Sequence, residues 1–234
     1  IYIIPIIIVG IWAWFSLKSI KVETSFRDQL DIFSEKHTWF CTIIYIMTFG
    51  IFAGLAASFP LMIKNLYMPL DKTINPLDYA FYGPLIGSLI RGVFGKIADK
   101  FGGAILTHIT GIALIILFSV LIFGGYLTPT SADQFKGFIA IVMLIFFFTG
   151  IGNASTFKQF PMIFYKSPRR AAGVIGWTSA MAAFGPFTFS ILITLSRKLF
   201  GNSEPFFIYI LLSCILATAI NWYYYTRKGC ERPS

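Results

Sequence analysis

Long apolar runs alternate with short polar stretches over the whole chain. After a first run at residues 1–17, the runs fall at 39–63, 79–98, 105–126, 137–164, 171–196 and 205–226. A helix of about 20 residues spans roughly 30 Å, the thickness of a hydrocarbon core. The runs are continuously apolar, whereas a membrane barrel would alternate apolar and polar positions over roughly 10 residues. The pattern predicts an all-α polytopic membrane protein: a six-helix bundle preceded by one helix. Residues 1–17 are the leading transmembrane helix and 18–38 a cytoplasmic inter-bundle loop. Residues 39–226 are the six-helix transmembrane bundle and 227–234 a cytoplasmic tail. Pro60 is expected to kink or end its helix. The four basic and four acidic residues of 18–37 fit a short surface helix.

Only 12% of the 234 residues are charged, against about 25% in soluble domains. The formal charge is +9, which could suggest nucleic acid. The distribution argues otherwise. The stretches 18–37, 96–104, 158–170 and 227–234 hold 13 of the 19 lysines and arginines, and the alternate loops hold 5. That asymmetry places the first set in the cytoplasm and explains the excess as orientation in membrane lipid. Ile1 is not a start methionine. Without a basic n-region, its apolar run is no signal peptide, and the chain is expected to begin inside a larger protein. Cys41, Cys214 and Cys230 have no metal-ligand or redox spacing. His37 and His108 have no carboxylate or cysteine cluster around them in the sequence. No cofactor, metal or nucleophile–base set is expected, which argues against an enzyme.

One cation remains. Arg91 lies inside the apolar stretch 81–103, with glycines at 83, 87 and 95, each a multiple of four residues away. On a helix these share roughly one stripe. A helix starting at Tyr79 buries Arg91 about 18 Å deep, at 1.5 Å per residue. All ten acidic residues lie in loops or at helix ends, so no intramembrane carboxylate can pair with it. Such a cation faces an anion or a wet cavity, snorkels to the interface, or binds backbone carbonyls. The glycine stripe leaves room beside the guanidinium and favours the anion.

Three further stretches put polar or small groups inside apolar helices. Residues 150–157 contain Asn153, Ser155 and Thr156, which must bond internally, glue helices together or line a wet cavity. Residues 173–186 carry small faces around Gly176, Ser179, Ala180 and Ala183, suited to close packing or to a ligand. Tyr45 and Phe49 share a face at i, i+4. With 26 phenylalanines in the chain, packing alone explains that pair.

Taken in order, these strings resemble the C-terminal half of a major facilitator transporter, and more closely the nitrate/nitrite porter family of the NarK type. GPLIGSLIRGVFGKIADKFGG is similar to that family's eighth helix and following loop. GIGNASTFKQFPMIF is similar to its tenth helix, GWTSAMAAFGPF to the nitrate-signature stretch of its eleventh, and IIYIMTFGIF to its seventh. Residues 1–17 would then be the sixth. Ala182 and Pro186 depart from the signature's glycines. The resemblance implies a planar anion, nitrate or nitrite, held between two arginines, one per half. It implies Arg91 as the arginine of this half, Phe49 as a stacking ring, Tyr45 as a hydroxyl donor and Gly176 and Ser179 as the signature contacts, in a bacterial inner-membrane protein. Asn153 joins this substrate-binding set from its own stretch. The partner arginine would belong to an N-terminal six-helix half, without which the chain is expected not to transport.

A guanidinium binds oxyanions as a planar fork and stays charged throughout. Exchange of nitrate for nitrite therefore needs no proton. The alternatives are nitrate–proton symport with the titrating group in the other half, another organic-anion or sugar carrier, and a transport-inactive membrane fragment. Sugar sites want several Asn, Gln and Trp groups, which these spans largely lack.

Overall fold

The computed structural model describes residues 3–18 and 25–234, in two compact units, Ile1–Asp31 and Ile32–Ser234. The first unit contains a 14-residue apolar helix, α1 (Ile3–Ser16), with no buried residue. Residues 1 and 2 of the span predicted over 1–17 lie outside the described ones. The surface helix expected within 18–37 falls partly on residues 19–24, outside the described ones. What is described there is one helical turn, Phe26–Gln29, and a 3₁₀ segment, Leu30–Ser34.

The second unit is a six-helix bundle, and no strand occurs among the described residues. Five of its helical stretches are long and apolar enough to cross a membrane: α2 (Lys36–Leu66), α4 (Gly103–Phe123), α5 (Gln134–Ile163), α6 (Pro168–Phe200) and α7 (Glu204–Thr226). The other, α3 (Tyr82–Phe101), has 20 residues but carries Arg91, Lys96, Asp99 and Lys100. The fold is that of an all-α polytopic membrane protein.

Several ends differ from those predicted, each for a local reason. α3 starts at Tyr82 rather than Tyr79, because Asn75 caps a separate turn, Pro76–Tyr79, accepting a hydrogen bond from the Leu77 N–H (3.2 Å). Arg91 is therefore nine residues into its helix, about 14 Å. α2 does not end at Pro60 but continues to Leu66. α6 is interrupted at Phe184, between Pro168–Ala183 and Gly185–Phe200. Pro186 causes the break, since it has no N–H and its ring crowds the carbonyl four residues back. Just after the break, the Thr188 hydroxyl donates back to the Phe184 and Gly185 carbonyls (3.1 and 3.0 Å).

α5 lies against α3 and α4, α4 against α7, and α2 against α6. One apolar cluster fills the middle, with Leu55, Phe59, Phe118, Phe138 and Phe146 all fully buried. A second, containing Cys41, Tyr45, Phe160, Val174 and Tyr225, lies toward the start of α2. Between α3 and α4, Gly102 turns the chain at φ +89°, a conformation side chains disfavour.

Candidate functional site

The site grows from two backbone features. The first is in α2, where residues Ile46–Gly50 form a π-helical turn. The Ile51 N–H reaches back five residues to the Ile46 carbonyl, and the Thr48 hydroxyl donates to the Tyr45 carbonyl (3.3 Å). Such wide turns are frequent at functional sites. Tyr45, just before this turn, and Phe49, within it, stack their rings at 5.5 Å and 21°.

The second feature is the close approach of α3 and α5. A Cβ on Gly150 would meet the Gly87 carbonyl oxygen at 2.5 Å, and one on Gly87 would meet Phe146 O at 3.0 Å. Gly83 presses against the Phe146 ring. Gly95 has open space beside it, so the predicted glycine stripe is a packing seam at 83 and 87 only. From that seam the two helices run on together, Arg91 one turn beyond Gly87 and Asn153 one turn beyond Gly150.

Arg91 is exposed on this face of the unit. No carboxylate of the described residues pairs with it. Its guanidinium instead sits 5.1 Å from the centre of the Phe157 ring. Arg91, Phe49 and Asn153 line one pocket with Phe52, Gly87, Ser88 and Gly150. Tyr45 borders it through its hydroxyl, which accepts from Asn153 Nδ2 (3.3 Å). The Ser179 hydroxyl and the Arg91 charge both act on that same phenol. Tyr45, Phe49, Arg91, Asn153 and Ser179 are thus brought to one place from four helices. Gly176 lies one turn before Ser179 on α6 with nothing within 4 Å of a built Cβ; no contact ties it to the pocket.

A larger apolar cavity of about 330 Å³ lies between α2, α6 and α7, around Met47, Gly50, Gly185 and Phe206. It has no charged lining residue and is separate from the Arg91 pocket. Ala182, where the signature would have a glycine, is buried in the α2–α6 seam. Among the described residues no three His, Cys, Asp or Glu side chains gather as a metal site.

No family model matches the chain. Individual relatives do. A probable nitrate/nitrite antiporter of Thermus thermophilus, NarK2, is 48% identical over 98% of this chain and 51% of its own length. The nitrate/nitrite transporter NarU of Escherichia coli is 31% identical over 96% of this chain and 52% of its own. This chain belongs to the nitrate/nitrite transporter family. It spans about half the length of the curated relatives it matches. A more distant member, a nitrite extrusion protein of Bacillus subtilis, is 25% identical over 71% of this chain and 39% of its own length.

Within this family member, sequence reasoning missed Phe157, Phe52 and Ser88. Phe157 follows Asn153 by four residues in the polar stretch, and that spacing was the available signal. His37 also reads differently in three dimensions. It is fully buried, with Nδ1 2.8 Å from the Tyr225 hydroxyl and Nε2 3.1 Å from Glu231 Oε1. Its carboxylate partner is not Glu35, two residues before it, but Glu231, 194 residues away. The Lys36 ammonium (2.7 Å) and His37 hold the Glu231 carboxyl below the usual carboxylate range.

Proposed function

We propose that this chain is the C-terminal half of a transporter that exchanges nitrate for nitrite across the bacterial inner membrane by alternating access. In this reading α1 is the last helix of the first half. Residues 18–38 are the cytoplasmic loop between halves, 39–226 the second bundle, and 227–234 a cytoplasmic tail. The observation that carries the proposal is Arg91: a cation amid apolar helices, without a carboxylate partner among the described residues, in a pocket shared with an aromatic ring and an amide. The names of its relatives supply the anion.

A guanidinium offers two parallel donors to an oxyanion and does not titrate. Phe49 offers a ring face to a planar ion, and Tyr45 with Ser179 offers hydroxyls. Each anion offsets the Arg91 charge while bound, so the halves can rock when occupied and are held by the bare cation otherwise. That gives obligatory exchange at the interface of two repeats, where such sites usually lie.

The test joins this chain to the N-terminal half and measures nitrate/nitrite exchange in vesicles. Arg91→Lys keeps the charge but loses the fork, and exchange should fall about 10- to 100-fold, as for a lost charge-assisted hydrogen bond. Full activity in that variant would sink the role of Arg91. Imposing a pH gradient separates exchange from symport, because pure exchange does not draw on it.

A further inference from the structure

Asn153 is 3% exposed, and only one end of its amide has a protein partner. Nδ2 points to the Tyr45 hydroxyl, while Oδ1 is buried without any hydrogen bond. Leaving a buried amide oxygen unpaired costs about 1–3 kcal/mol. The residue lines the pocket that also contains Arg91. An amide's two ends have nearly the same shape, so half a rotation exchanges them.

We infer that Asn153 is an anion-reading residue, its NH₂ turned into the Arg91 pocket to donate to a bound oxyanion. In that orientation the Tyr45 hydroxyl donates to Asn153 Oδ1, and Ser179 can donate to the Tyr45 oxygen. The amide oxygen is then satisfied, and the unpaired end becomes a neutral donor beside the cation. The opposite orientation presents a carbonyl oxygen to the anion, which repels it. Tyr45 is accordingly a positioning residue for the amide: its hydroxyl can give or accept, so it permits either orientation and fixes the one the ligand favours. This inference rests on the anion-transport reading above and adds to it a donor that carries no charge.

The experiment measures nitrite and nitrate affinity in the transporter formed by this chain and its N-terminal half, with surface abundance as the folding control. Asn153→Leu should weaken both anions about 10- to 100-fold, the range for one hydrogen bond to a charged group. Asn153→Asp is nearly isosteric and can still accept from Tyr45, so a packing role predicts it to be the milder change. A donor role predicts the reverse, because a carboxylate repels the anion and neutralises Arg91. Tyr45→Phe should weaken binding in the wild-type background and have little further effect beside Asn153→Leu. Wild-type affinity in Asn153→Leu, or Asn153→Asp binding better than Asn153→Leu, overturns the inference. Arg91→Lys separates the two levels: loss there with unchanged Asn153 variants rejects Asn153 alone, while retention there rejects the anion site itself.

Discussion

Gly50 and Gly185 meet backbone to backbone. A Cβ on Gly185 would fall against the Gly50 carbonyl oxygen and 3.1 Å from its carbon. Gly50 closes the π turn of α2, and Gly185 opens the second half of α6 after its break. The π turn of α2 and the break in α6 are therefore in contact, and at Gly185 only glycine fits. Gly185→Ala should destabilise the protein by about 1–3 kcal/mol through overpacking, read as a lower melting temperature in detergent. Gly176→Ala is the control. Nothing lies within 4 Å of its Cβ, so stability should hold or rise by up to about 1 kcal/mol. Transport should nonetheless fall if that face meets the other half.

The helices were legible because burying backbone in lipid requires long apolar runs, and these are local in sequence. Arg91 was legible for the same reason, as a charge where apolar residues are expected. The π turn at Ile46–Gly50 was not, since IMTFG is an ordinary apolar string and the wide turn answers to contacts with α5 and α6. Asn153 stood out as a polar group in an apolar run, and Tyr45 only as half of an aromatic pair. Their bond joins positions 108 apart, which no local pattern records. His37 looked isolated for the same reason, and Gly95 looked like part of a stripe because helical spacing does not record which positions the neighbouring helix touches.

A buried amide pair holds α5 to α7 and α4. Gln159 Nε2 donates to Asn221 Oδ1 (2.7 Å), and Asn221 Nδ2 donates to the Ala104 carbonyl (2.9 Å). Asn221→Ala strips the Gln159 amide of its partner, while the Ala104 carbonyl keeps the Thr226 hydroxyl (3.4 Å), and should cost about 1–3 kcal/mol for the group left buried and unpaired. Removing both amides with Gln159→Leu and Asn221→Leu should recover part of that loss. A double-mutant cycle on melting temperature measures the coupling, and strict additivity would show the pair to be independent.

The tail folds back on the same end of the bundle. Glu231 pairs with Lys36 and His37, and Arg232 bonds Glu35 (3.2 Å) and the Ile163 carbonyl (3.3 Å). The folded Glu231 carboxyl lies below its free value. Its contribution is thus complete above the ordinary carboxylate range and disappears as pH falls through the depressed value. Cys41 and Cys214 are buried and Cys230 half-buried, so maleimide labelling of Cys230 reports tail release. Glu231→Gln should label severalfold faster than wild type at neutral pH. The difference between the two should close as pH falls below about 4, the region of a free carboxyl. A difference independent of pH would show that the charge of Glu231 is not what holds the tail.

Phe157 fixes where the Arg91 guanidinium sits, 5.1 Å above its ring, and the same ring meets Tyr45 edge-on at 5.8 Å. A cation over an aromatic face gains about 0.5–2 kcal/mol, and among the described residues no carboxylate competes for it. Phe157→Leu keeps apolar volume but removes the ring face, freeing Arg91 to turn toward the interface. Anion affinity should then weaken about 2- to 30-fold, the same energy expressed as a ratio. Phe157→Tyr retains the ring and should bind as wild type. In the Arg91→Lys background the ammonium no longer presents a flat fork to be oriented, so Phe157→Leu should cost less there. An undiminished loss in that background would mean that Phe157 acts through Tyr45 packing instead, and nitrite affinity across the four combinations distinguishes the two.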